Sequence, residues 1–208
     1  TYESALISAM REAPDLLMIG EIRDRATLQS ALLFAQTGHL CLSTLHASNS
    51  YHAMNRIINF FPREAREALL ADLAISLKCV ISQRLVRAKS GGRVPAVEIM
   101  LNTAHISELI KNGEMGEIKD AMEQSLAPGS QTFEQSLFGL YSSGQITLED
   151  ALANSDSANN LHWLINNAGT MPNAVPSSSA DRNSANMGGT TTSPVVELSS
   201  IKLDLDMV

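Results

Sequence analysis

The segment from Pro14 to His46 constrains the fold more than any other part of this sequence. Pro14 bars a helix from running through the preceding residue, and Leu16-Leu17-Met18-Ile19 follows as a short, uninterrupted apolar run. Four apolar residues bounded by breakers predict a strand covered on both faces. Asp24 is placed to cap a helix through Gln36, with Leu28, Ala31, Leu32 and Ala35 at helical spacing and Gly38 closing it. His39–Leu45 is a second apolar strand. Strand, helix and strand at this spacing predict a right-handed crossover in a parallel sheet.

The flanking sequence predicts mostly helix. A first helix is expected over Glu3–Arg11. Two more, Tyr51–Phe60 and Arg63–Lys78, are broken at Phe61-Pro62, and Ala65, Leu69, Leu73 and Leu77 form the stripe of the second. Val80–Val86 and Val94–Leu101 flank Ser90-Gly91-Gly92 and predict a β-hairpin. Helices are then expected over 104–112, 115–124, 132–143 and 147–153, with Thr132 and Gln135 as a capping box. From Thr170 to Ser193, 16 of 24 residues are Ser, Thr, Asn, Gly or Pro, a composition that predicts a disordered linker. Beyond it, Val195–Asp206 partly alternates apolar and acidic residues, a pattern open to a mobile end or a short docking strand.

Composition removes several function classes. A net charge of −7 and 4% aromatic residues leave neither the basic footprint nor the stacking platforms of a general nucleic-acid binder. No run of 18 apolar residues marks a membrane span. Cys41 and Cys79 sit singly in apolar segments, which predicts small hydrophobes in a reducing, cytoplasmic compartment rather than a disulfide framework.

The chemistry concentrates where the first strand ends. Gly20 lets the backbone pass close to a bound group, and Glu21 follows where the carboxyl ends of strands face the ligand crevice of open α/β sheets. From there a carboxylate reaches a metal ion or its water. Arg23 and Asp24 come next on the loop. His39 and His46 are seven residues apart, so on a continuous strand they face opposite ways and make a poor pair for one metal.

The string Met10-Arg11-Glu12-Ala13-Pro14-Asp15-Leu16-Leu17-Met18-Ile19-Gly20-Glu21-Ile22-Arg23-Asp24 resembles the signature of the secretion NTPases. Thr37-Gly38-His39 with Ser43-Thr44-Leu45-His46 resembles their histidine box. The resemblance covers residues 1–168 and implies an α/β fold: part of a RecA-like P-loop ATPase core over 1–102 and a helical subdomain over 103–168; residues 169–208 have no counterpart in it and are expected, from composition, to form a disordered tail. It also implies ATP and Mg²⁺ as cofactors. Glu21, in the Walker B element, would act near Mg²⁺, directly or through water. His46 would sense the phosphates, and Gly20, Arg23, His39 and Thr44 would bind nucleotide, His39 being equally open to a structural place after the helix cap. No Gly-x-x-x-x-Gly-Lys-[Ser/Thr] cradle occurs in the 208 residues. The chain is therefore expected to start after that loop and, alone, not to hydrolyse ATP.

Within this superfamily, extension and type II secretion members carry a four-cysteine zinc element where this chain has Arg87-Ala88-Lys89-Ser90-Gly91-Gly92-Arg93, which offers no ligand. The sequence is therefore similar to the retraction type, the PilT/PilU family. Ala104–Lys111 loosely matches that family's helical motif. Gly129–Gln135, Gly144–Leu152 and Asn154–Ser157 look closest to the PilU branch. The implied partners are identical subunits in a homo-hexamer, a PilT-like paralogue and the inner-membrane pilus platform protein, with the protein peripheral to the inner face of the inner membrane. Two other roles stay open: an extension or secretion ATPase, and an accessory ring component whose own hydrolysis is dispensable.

Overall fold

The computed structural model of the chain describes residues 14–167 together with residues 5, 8, 9 and 12. Most of the helix expected over Glu3–Arg11, and the whole expected linker and tail over 169–208, lie outside the described residues.

The predicted strand–helix–strand unit is present. β1 (Leu16–Ile19) pairs in parallel with β2 (Leu40–Ser43), with Leu16 opposite Leu40 and Ile19 opposite Ser43. The helix between them, α1 (Arg25–Gln36), starts where expected, because the Asp24 carboxylate accepts the Thr27 amide at 2.8 Å. Thr37 takes the C-cap, and Gly38 follows with φ +94°, the left-handed turn that favours glycine.

Burial of β1 departs from expectation. Only Ile19 is buried; Met18 is 69% exposed, and Leu16, Leu40 and Leu42 are exposed as well. The strands alternate instead of being covered twice, because α1 packs on one side while the described residues place nothing over the other.

Next comes α2 (Ser50–Asn59), capped by Asn49, whose side chain accepts the His52 amide. Pro62 breaks the helical path as predicted. The helix expected over Arg63–Lys78 divides into a 3₁₀ turn (Arg63–Ala65) and α3 (Arg66–Ser76), and Leu77 is already extended. Leu69 and Leu73 of the predicted stripe are buried.

β3 (Cys79–Arg87) and β4 (Arg93–Leu101) form the expected antiparallel hairpin, with Gly91 and Gly92 at positive φ in its turn. Its inner face is Val80, Ser82, Arg84 and Val86, opposite Met100, Glu98, Ala96 and Val94.

The helices that follow are α4 (Ala104–Asn112), α5 (Ile118–Glu123), α6 (Phe133–Ser142), α7 (Leu148–Ala153) and α8 (Ala158–Asn166). The capping box at Thr132 and Gln135 is fully formed. Helix α8 was not expected. Its Asn159-Asn160 start is a weak helix former, and its stability comes from Leu161, which is fully buried.

One apolar cluster joins Ile19, Leu28 and Phe34 to Met54, Leu73, Met100 and Ile110, so the face of α1 that meets the sheet shares a core with α3 and α4. A second joins Val86 and Ala96 of the hairpin to Phe133, Leu137, Ile146 and Leu161. Cys41 and Cys79 are free thiols, half-buried, and burial pushes both pKa values up. Among the described residues no helix is long and apolar enough to cross a membrane.

Candidate functional site

The carboxyl ends of β1 and β2 are tied together just past the strands. The Thr44 hydroxyl donates to the Gly20 carbonyl, and the Ile22 amide donates to the Thr44 carbonyl at 3.0 Å. Ile22 is buried, which anchors the turn from inside. With both flanks fixed, Glu21 is presented at the mouth of the sheet.

Glu21 is held from two directions. Arg23 Nε donates to its Oε2 at 2.6 Å, and His46 Nε2 lies 3.2 Å from its Oε1. The Glu21 side chain is 18% exposed, whereas Arg23 and His46 are 78% and 80% exposed, so the guanidinium and the imidazole roof the carboxylate and face outward. The Arg23 hydrogen bond, helped by the charges of Arg23, His46 and Arg56, holds the Glu21 carboxyl below its usual pKa against a partial opposing effect of burial. The Asp24 carboxyl is likewise lowered, by the backbone and hydroxyl hydrogen bonds of Thr27.

Gly20, Glu21, Arg23, Asp24, Thr27, Thr44 and His46 line one open cleft of about 620 Å³. Five of the six sequence-predicted site residues therefore come together: Gly20, Glu21, Arg23, Thr44 and His46. His39 does not join them. It precedes β2 at the opposite end of the strand, where its Nδ1 is 3.0 Å from the Thr37 hydroxyl and its ring stands edge-on to Phe34 at 5.7 Å.

A second open recess shares His46 and adds Ser48, His52, Asn55, Arg56 and Asn59. These last four recur at positions i, i+3, i+4 and i+7 of α2, one polar helix face. The sequence carried that spacing, but a polar face reads as solvated surface until the fold sets it beside His46. Among the described residues no group of three or more His, Cys, Asp or Glu side chains forms a metal cage. A cation at Glu21 would be bound through one carboxylate, with waters and phosphate oxygens completing its shell, a donor set that suits Mg²⁺.

Comparison with known proteins bears on the family and the fold. The family model described as "Type II/IV secretion system protein" matches residues 1–152. The chain is 48% identical over 166 residues to the type IV pilus ATPase PilU of Pseudomonas aeruginosa, covering 79% of this chain and 44% of the relative. It is 39% identical over 150 residues to the retraction ATPase PilT of the same organism, covering 72% and 44%. The chain thus spans under half the length of these relatives. A crystal structure of the pilus retraction motor PilT with bound ADP superposes with a TM-score of 0.71 at 36% identity, over 78% of this chain and 46% of that one. The ATPase DotB of Yersinia pseudotuberculosis gives 0.67 at 31% identity, over 74% and 40%. The fold is therefore that of a PilT-like ATPase.

Proposed function

This chain belongs to the Type II/IV secretion system protein family, the family of the PilU and PilT pilus ATPases, and we propose that it supplies the metal side of the nucleotide site in an ATP-driven motor for type IV pilus retraction and twitching motility. The observation that carries this reading is the Glu21 carboxylate set between Arg23 and His46 at the joined ends of two parallel strands.

The residues fit such a role. A carboxylate kept ionised by neighbouring cations is ready to accept hydrogen bonds from metal-bound water. Arg23 and His46, both exposed over the cleft, offer N–H donors to phosphate oxygens, and Arg23 adds a positive charge. Gly20 leaves room beside the strand end, since a Cβ built there meets nothing within 4 Å. Bound Mg²⁺ and ATP supply the transferable phosphoryl group and the charge that offsets its oxygens. When an anion draws Arg23 or His46 away, the Glu21 contact opens, so the histidine loop reports phosphate occupancy to the rest of the fold.

In this reading residues 1–102 serve the nucleotide and 103–168 form the helical part that turns its state into movement. The working assembly is a homo-hexamer at the cytoplasmic face of the inner membrane, partnered by a PilT-like paralogue and the pilus platform protein. Nucleic acid has no part in it. A second reading is an accessory ring component with dispensable hydrolysis. Glu21→Gln in the whole gene product separates them: lost ATP turnover with lost retraction supports the motor, and lost turnover with intact retraction supports the accessory role.

A further inference from the structure

Two charged side chains stand on the inner face of the β3–β4 hairpin, among Val80, Val86, Ala96 and Met100: Arg84 and Glu98. A buried face does not take charges unless they are paired. Arg84 is ion-paired with Asp156 and Glu98 is hydrogen-bonded, and both reach the stretch Ser48–Ser50.

The Arg84 guanidinium lies 3.9 Å from the centre of the Phe133 ring. Its Nη1 donates to the Asn154 carbonyl at 2.6 Å. Its Nη2 donates to the Ser48 carbonyl at 3.2 Å and pairs with Asp156. The other Asp156 oxygen accepts Asn49 Nδ2 at 2.8 Å. Glu98 Oε1 accepts the Ser50 amide at 2.7 Å. Ser48, Asn49 and Ser50 are thus each fastened, and they begin two residues past His46.

We propose that Arg84 is a positioning residue for His46: it locks the 46–50 loop to the 154–157 turn, so the loop over the cleft and the helices α7 and α8 shift as one piece. A planar, five-donor group is needed, because the acceptors lie on two different segments while the ring of Phe133 stacks on its face. A lysine ammonium has neither the planar fork nor the flat face to hold all of these contacts together. The consequence for nucleotide sensing rests on the function proposed above; the anchor itself does not, and is read without nucleotide.

The test is amide hydrogen exchange and the His46 ring signals by NMR, on the wild-type protein and its Arg84→Met and Arg84→Lys variants. Losing a charge-assisted hydrogen bond raises local exchange about ten-fold or more. That rise is expected in both 46–50 and 154–157, with α1 unaffected and the His46 ring signals displaced. Lysine should not restore wild-type protection. Unchanged exchange over 46–50, or a uniform rise that includes α1, overturns the proposal. If Arg84→Met does not fold, Asp156→Asn removes the charge while leaving the Phe133 stack and both carbonyl acceptors. A smaller rise in the same two segments supports the anchor; a rise at 154–157 alone overturns it. Because no nucleotide is added, an intact anchor with unaltered turnover in Glu21→Gln would sink the function and spare the anchor.

Discussion

His46 Nε2 stands 3.2 Å from Glu21 Oε1, and with the two Thr44 bonds this contact bridges the loops that leave two parallel strands. Arg23 occupies the other oxygen of the same carboxylate. Glu21 is therefore the hinge of the cleft electrostatically: whatever competes for Arg23 or His46 changes the balance around it.

The first prediction follows from that balance. The Glu21 pKa is lowered in the folded protein, chiefly by Arg23. The unfolded chain then binds more protons through the acid range, so this group stabilises the fold above its ordinary pKa of 4.5 and loses that effect as pH falls through the lower folded value. Arg23→Met should raise the Glu21 pKa and shrink this acid-side slope, read by carbon-detected NMR titration and by melting temperature against pH. An unmoved Glu21 titration would contradict the assigned cause.

Glu98 should behave with the opposite sign. Burial raises its pKa above 4.5, with the Asp156 charge adding to burial, while the Ser50 hydrogen bond and Arg84 partly oppose it. The folded state holds the proton longer than the unfolded one, so this group costs stability as pH climbs from 4.5 through its raised value. Glu98→Gln keeps an acceptor for the Ser50 amide and removes the charge. Its melting temperature should gain on wild type as pH rises through that window; a constant difference would show that Glu98 titrates normally.

Helix α6 depends on its cap. Thr132 is buried, accepts the Gln135 amide through its hydroxyl, and has its own amide bound by the Gln135 side chain. Thr132→Ala should cost about 1 kcal/mol, in the usual range for losing a threonine cap. Urea unfolding should show a lower midpoint with an unchanged slope. A loss below a few tenths of that figure would mean the box adds nothing to what packing already secures.

The 208-residue chain carries no Gly-x-x-x-x-Gly-Lys-[Ser/Thr] cradle, and the groups that steady the β- and γ-phosphates in P-loop enzymes belong to that motif. Purified by itself, the chain should release no phosphate from ATP above background in a steady-state assay. Sustained turnover would mean that another set of residues performs this step.

Much of this was legible before any coordinates. Periodicity and punctuation located β1, α1, β2 and the hairpin, because Pro14, Asp24 and the Gly91-Gly92 pair each act locally on the backbone. The capping box was visible for the same reason. What local rules missed was decided by distant partners. Met18 reads as core and is exposed, since among the described residues nothing packs over that face of β1. Helix α8 forms from residues with poor propensity because Leu161 finds a place beside Phe133 and Leu137. The meeting of Glu21 with His46 was foreshadowed by the strand ends together with the histidine-box resemblance, but the Arg84 network joins positions up to 107 residues apart and has no local signature.

ATP turnover of the whole gene product, wild type against Glu21→Gln, tests the central claim most directly. The substitution keeps the side chain's size and one acceptor while removing the charge that Arg23 and His46 embrace. Loss of a group placed to act in the transition state costs about 100-fold or more in kcat. The account predicts a fall of that order with nucleotide still bound. Turnover within two-fold of wild type would contradict it, and would remove Glu21 from the chemistry of this cleft.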